Sequence, residues 1–290
     1  MSERALPGAS ITRFVARGSA RLSYEAIGEP AAPALVALHD LLAQRGVWRP
    51  WAEMLAEAGL RLIAIDARGH GASAALGGRA YPVAELAADV LAVLDNEGVA
   101  TAHLAGHGWG AATALAVARG APERVGALLL IQPDLPGILA GDASPAARWA
   151  AETARELLST AAVAADKGMT DRALDILLNP RWGAEWRARL PRPRLSAIRR
   201  NAGSLGAILG GASVEGPTAQ MLEGFNAPTL VLVGANASER DRLVAERLAA
   251  ALAGASLERA ALIDSDGLVD PGAEAAVAAV AAFLRDLAPR

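Results

Sequence analysis

Short apolar runs alternate with helical patterns along this chain, and that alternation limits the folds open to it. "ALVALHD" (Ala34 to Asp40), "LRLIAID" (Leu60 to Asp66), "TAHLAG" (Thr101 to Gly106), "VGALLLIQP" (Val125 to Pro133) and "PTLVLVG" (Pro228 to Gly234) have the length and continuous apolarity of strands buried on both faces. Between them, "WRPWAEMLAEAG" (Trp48 to Gly59), "VAELAADVLAVLDNEG" (Val83 to Gly98) and "GAATALAVARGAP" place apolar residues at helical spacing. A last strand, "ASLERAALI" (Ala255 to Ile263), precedes a final helix from about Gly272 to Leu287. Such an order predicts βαβ units and an α/β protein with a mostly parallel sheet covered on both faces. The opening "ITRFVARGSARLSYEAIG" instead alternates apolar and polar residues, as an antiparallel edge hairpin does.

From Asp134 to Asn226 the strand pattern disappears. This stretch reads as helical, rich in Arg, Trp and Ala, with breaks at Pro180, Pro191 and Pro193. It is expected to lie as a cap over the carboxyl ends of the strands. Residues 1–133 and 227–290 then form the core, and 134–226 the helical cap. A length of 290 residues is enough to bury a core of this size.

Composition narrows the partners. The net charge is -3, and the 28 Lys and Arg form no basic stripe, which argues against nucleic acid or an anionic membrane as partner. The chain has no cysteine, so disulfides, thiolate metal sites and a Cys nucleophile are excluded. "MSERALPGAS" lacks an apolar signal core, and "EAAVAAVAAFL" is too short and too interrupted by charge to span a bilayer. A cytoplasmic monomer or homodimer is expected, binding a small-molecule substrate or ligand and no cofactor.

The motifs, in order, resemble the α/β-hydrolase fold over nearly the whole chain. The strand end "LHD" stands where the family usually has His-Gly; "IDARGHGAS" matches the loop after the next strand; "GHGWGA" sits at the nucleophile elbow. "GHGWG" with "APERV" looks most like the epoxide hydrolase and haloalkane dehalogenase branch, where the elbow carries Asp between His and Trp. Related esterases and carbon–carbon bond hydrolases carry Ser there. The resemblance implies an eight-stranded, mostly parallel sheet, and it puts Gly108 at the nucleophile position. Counting from the strand-end Gly234 puts Ala237 at the acid position, and "IDSDGLV" puts Gly267 at the histidine position, to within about one residue. All three triad positions read as substituted.

His39, His70, His103 and His107 read as scaffold residues, and the side chain of His107 is expected to turn away from the pocket. Asp40 replaces the glycine of the His-Gly turn, beside an oxyanion hole that the resemblance assigns to the backbone N–H groups of Leu41 and Trp109. A carboxylate there opposes developing negative charge. An apolar pocket would raise its pKa and make it a general acid or base; the alternative is a turn residue bonding its own backbone. Asp134 either reaches the pocket from the end of the sixth strand, or caps the first cap helix, or faces water. Asp266, in "DSDG", neighbours the vacant histidine position or simply forms a turn with Asp264. These acids lie on separate loops with no histidine in register, so the metal signal is weak. Trp109 follows the elbow apex and is expected to line the pocket. Trp149, Trp182 and Trp186 of the cap are either pocket walls for a flat ligand or core anchors.

Two classes of function follow. The first is an enzyme that kept the fold without the covalent nucleophile: a cyclase, lyase or isomerase holding a small apolar metabolite in a reactive conformer, as in secondary metabolism. The second is a non-catalytic binding protein whose cap closes on a ligand. A third option is hydrolysis of an epoxide, an ester or a carbon–carbon bond by water that Asp40 or Asp266 activates.

Overall fold

The computed structural model describes residues 11–73, 80–210, 216–261 and 274–287. The strands are β1 (Ile11–Arg17), β2 (Ala20–Ile27), β3 (Ala34–Leu38), β4 (Arg61–Ile65), β5 (Ala102–His107), β6 (Val125–Ile131), β7 (Thr229–Gly234) and β8 (Ser256–Ala260). They form one eight-stranded sheet in the order β1-β2-β4-β3-β5-β6-β7-β8. β1 and β2 pair antiparallel, as the alternating opening predicts, and β2 meets β4 antiparallel; every later pairing is parallel.

Helices α1 (Trp51–Glu57), α2 (Val83–Asn96), α3 (Gly110–Gly120), α9 (Glu239–Ala251) and α10 (Glu274–Leu287) cover the sheet. Two clusters divide its faces. One packs Val36, Leu104 and Leu130 against α2, α3 and α9; the other packs Leu35, Ala105 and Leu129 against Trp48, Trp51 and α10. Residues of one strand point alternately into each cluster, which is why these strands read as unbroken apolar runs.

Between β6 and β7 the described residues hold helices and no strand: α4 (Pro145–Asp166), α5 (Thr170–Trp182), α6 (Trp186–Arg189), α7 (Arg192–Asn201) and α8 (Leu205–Leu209). α4 buries the small stripe Ala147, Ala150, Ala154, Ala161 and Ala164. The cap is fastened to the core by side chains. Asn201 donates to the carbonyls of Leu42 (3.1 Å) and Ala43 (2.7 Å) and accepts from the N–H of Gly71 (3.1 Å). Ser204 donates to the carbonyl of Gly69 at 2.8 Å. These bonds satisfy backbone groups in the loops after β3 and β4, so the cap covers the carboxyl ends of those strands. Among the described residues no helix is long and apolar enough to cross a membrane.

Candidate functional site

The turn between β5 and α3 is built by three glycines with different jobs. Gly106 lies against the backbone of Ala111, and Gly110 against the carbonyls of Leu38 and His39, so a Cβ at either would strike main chain. Gly108 takes φ +55°, and a Cβ there would come within 3.0 Å of Oδ1, Cγ and Oδ2 of Asp40. The carboxylate of Asp40 therefore occupies the space into which a side chain at 108 would grow.

Asp40 is 6% exposed. Its Oδ1 accepts from the N–H of Trp109 and from the N–H of Leu41, both at 2.8 Å. The two donors that the resemblance assigns to an oxyanion hole do converge on one point, and an oxygen of the protein itself sits at that point. Trp109 is also the residue capping the start of α3, so the carboxylate faces the positive end of that helix dipole. Oδ2 pairs with Arg181, near the end of α5, at 3.3 Å.

These contacts reverse the expected titration of Asp40. Burial alone would raise its pKa; the charge of Arg181, the neighbouring His107 and the N–H groups of Trp109 and Leu41 outweigh it and hold the pKa below the usual carboxylate value. Asp40 is an ionised carboxylate at neutral pH, not the proton donor that an apolar pocket would make of it. Replacing it should be costly in a graded way. Asp40→Asn keeps an acceptor for the two N–H groups, whereas Asp40→Ala strands both and leaves Arg181 without its carboxylate. Urea unfolding should place Asp40→Ala about 3 kcal/mol below the parent protein and Asp40→Asn about 1–2 kcal/mol below it. Equal losses would mean that the backbone donors do not need Asp40.

The histidines hold the surrounding loops. His39 Nε2 accepts from the N–H of Ala67 at 3.0 Å while its Nδ1 donates to the carbonyl of Asp40 at 2.8 Å. His70 Nε2 accepts from the N–H of Leu42 at 3.2 Å. Each ring must keep one nitrogen unprotonated, and burial pushes their pKa values down to about 4 and about 3. His107 is also buried; neither of its ring nitrogens has a hydrogen-bond partner among the described residues, and burial pushes its pKa down to about 4. It is the last residue of β5, where the strand gives way to the turn.

The other sequence candidates separate. Asp134 does not cap α4, which Ser144 caps; it pairs with Arg240 of α9 at 2.7 Å. Arg240 also meets Asp241, at 3.1 Å, and Arg181 lies in the field of Asp40, Asp134 and Asp241. Trp149 is 67% exposed, because it falls between Ala147 and Ala150 on the outer side of α4; it is not a core anchor. Trp186 is fully buried in the cap core, with Nε1 donating to Asp175 at 3.1 Å, and Trp182 packs in the same cluster. Trp109 packs with Tyr81, Leu86 and Ile208. The void lined by Trp109, His39, Leu86 and Thr113 is about 20 Å³, room for about one water and not for a metabolite. Leu41 is partly buried against the cap clusters. Ala237 is buried after β7; Asp264, Asp266 and Gly267 lie outside the described residues.

The fold has counterparts among known proteins. The family description "alpha/beta hydrolase fold" matches residues 33–267. The chain belongs to the α/β-hydrolase-fold family. It is 36% identical over 110 residues to a putative carbamate hydrolase, RutD, of Variovorax paradoxus (strain S110), covering 38% of this chain and 41% of that protein. It is 36% identical over 105 residues to epoxide hydrolase A of Mycobacterium tuberculosis, covering 36% of this chain and 33% of that protein. These matches thus span less than half of either relative. Among solved structures, an α/β-hydrolase from Sphaerobacter thermophilus superposes with a TM-score of 0.72 at 19% identity, covering 93% of this chain and 99% of that one. A hydrolase from Pseudomonas aeruginosa superposes with a TM-score of 0.66 at 26% identity, covering 96% and 99%.

Arg181 is the functional candidate that sequence reading missed. A buried acid calls for a cation, but seven arginines lie between 181 and 200, and no spacing rule singles one out.

Proposed function

We propose that this protein is an enzyme that works on a small molecule through the Asp40–Arg181 pair instead of a nucleophile at residue 108. The observation that carries the reading is the occupied oxyanion hole. Acyl hydrolysis needs two backbone donors free to receive the carbonyl oxygen as it becomes negative. Here both are spent on Asp40 Oδ1, and a second negative oxygen beside it would be repelled. Chemistry at a non-acyl carbon has no such requirement. Cyclisation, elimination, isomerisation or ring opening needs a substrate held in a reactive conformer, with fixed charges facing the centre where charge develops. An ionised carboxylate and a guanidinium supply both signs. The small, buried surroundings (Leu41, His107 and the cap clusters) suit a compact metabolite. The names of the relatives, a carbamate hydrolase and an epoxide hydrolase, are compatible with an enzyme and do not choose the reaction.

A panel of nitrophenyl esters of graded chain length tests the reading. The protein should turn over none of them above the uncatalysed rate. Ester hydrolysis that persists in Asp40→Ala would refute it, because the donors would then serve the substrate. The second reading, a non-catalytic binding protein, is favoured by the closed Asp40–Arg181 contact. It predicts ligands that raise the melting temperature and emerge chemically unchanged.

A further inference from the structure

Another cavity opens where the cap meets the core, and Asp40 does not line it. It holds about 410 Å³, against about 20 Å³ for the void beside Trp109. That is the size of small-molecule sites in general. We infer that this cleft binds a metabolite-sized organic anion carrying two or more negative charges, and that the anion joins Arg200 of the cap to Arg49 of the core. The inference does not depend on the chemistry of the Asp40–Arg181 pair.

The sign of the ligand follows from which charges are already matched. Two buried acids line the cleft, and both are spent. Glu25 accepts from Arg49 Nη2 at 2.8 Å and Nε at 3.3 Å, with Arg45 Nε at 3.5 Å. Asp66 accepts from the N–H groups of Arg45 (2.8 Å) and Ala72 (2.9 Å) and from the Arg45 guanidinium. A cation entering here finds no free carboxylate. Arg200, in the last turn of α7, is the charge left over. Among the described residues it pairs with no acid; its Nη2 reaches the neutral side-chain oxygen of Gln44 at a long 3.4 Å. The lining sets three arginines against two acids, so one positive charge is in excess.

Arg49 supplies the second donor. Its Nε and Nη2 both turn to Glu25, which leaves Nη1 without a partner among the described residues, and 63% of the side chain is exposed. A singly charged ion would be held by Arg200 alone, no better than at any surface arginine, where water and salt compete. Two charges spread over several oxygens can engage both guanidinium groups, and charge-assisted bonds of this kind are the strong ones. The buried carboxylate of Glu25 keeps Arg49 oriented towards the cleft before the ligand arrives. Arg200 also precedes Asn201, whose side chain ties α7 to the loops after β3 and β4. An anion bridging Arg200 and Arg49 adds a further tie across the same seam, so its binding holds the cap down.

Citrate and glycerol phosphate are the probes, one for carboxylates and one for phosphates, with acetate as the singly charged control at equal ionic strength. Calorimetric titration of the full chain should show one saturable site for at least one of the two probes and none for acetate; the probe that binds identifies the anionic group. Arg200→Gln and Arg49→Gln should each weaken binding about 10-fold or more, the effect of losing one charge-assisted contact. Arg119→Gln, at an exposed arginine in the last turn of α3, should change nothing. Gly46→Glu adds a carboxylate to the lining. A Cβ at Gly46 meets nothing within 4 Å, so the fold accepts it, and binding should vanish. In the unaltered protein, bound probe should slow amide hydrogen exchange at residues 44–46 and in the last turn of α7. The inference is overturned by the absence of saturable binding with both probes, by equal binding of acetate, by binding that survives Gly46→Glu or Arg200→Gln unweakened, or by protection confined to other segments.

Discussion

Between about pH 7.5 and about pH 5 the protein should lose about 6 kcal/mol of its stability, about 2 kcal/mol for each of His39, His70 and His107. All three are buried and neutral, with pKa values of about 4, about 3 and about 4. In the unfolded chain they titrate near about 6.5. Below that value the unfolded state binds protons that the folded state refuses, so stability is complete above it and falls steadily as the pH drops towards the folded values. His103, whose pKa burial also lowers, adds in the same direction. A domain of this kind has about 5–15 kcal/mol to lose.

The carboxylates fall in a different window. Burial tends to raise the pKa values of Asp40, Glu25 and Glu97, but nearby arginines and hydrogen bonds bring each below its ordinary value. Their contribution is present above the unfolded carboxylate value and is lost only below it, near about pH 4 and lower. Urea titrations across the range separate the two. His70→Gln, which retains an acceptor for the N–H of Leu42, should flatten the curve by about 2 kcal/mol. A stability that stays level down to about pH 5 would show that these rings are protonated in the folded state.

The sheet was legible because strands buried on both faces must be apolar at every position, and each run that read so is a strand. The edge hairpin was legible for the opposite reason, since β1 keeps one face towards solvent. The cap was legible as helices but not as a lid with named contacts. Asn201 and Ser204 clasp backbone carbonyls, and no pattern in sequence marks a side chain for that job. Trp149 is not the core anchor that Trp186 is, because the alanines at 147, 150 and 154 mark the buried side of α4 and leave 149 facing out. Asp40 was found as the informative substitution, beside the right two N–H groups. Its titration came out reversed because the direction depends on where those donors point and on a cation 141 residues away. Distance in sequence hides such a pair, and a segment holding seven arginines hides which one closes it.

Gly108→Ala should destabilise the protein by about 3–4 kcal/mol, and the same substitution introduced into Asp40→Gly should cost about 2 kcal/mol less than it does in the parent. The added methyl meets the carboxylate of Asp40 and also adopts a left-handed φ of +55°. The second cost, about 1 kcal/mol, remains in any background. The first is a collision with a side chain and vanishes when that side chain is removed, so the coupling between 40 and 108 should be about 2 kcal/mol. Gly106→Ala and Gly110→Ala are the controls. Their methyls strike the main chain of Ala111 and of Leu38, so Asp40→Gly should return nothing to either. The same double background, with two free N–H groups and an open space at 108, should also bind acetate where the parent protein does not, read as a rise in melting temperature with acetate concentration. If the losses at 40 and 108 simply add, the carboxylate does not occupy the space of a side chain at 108.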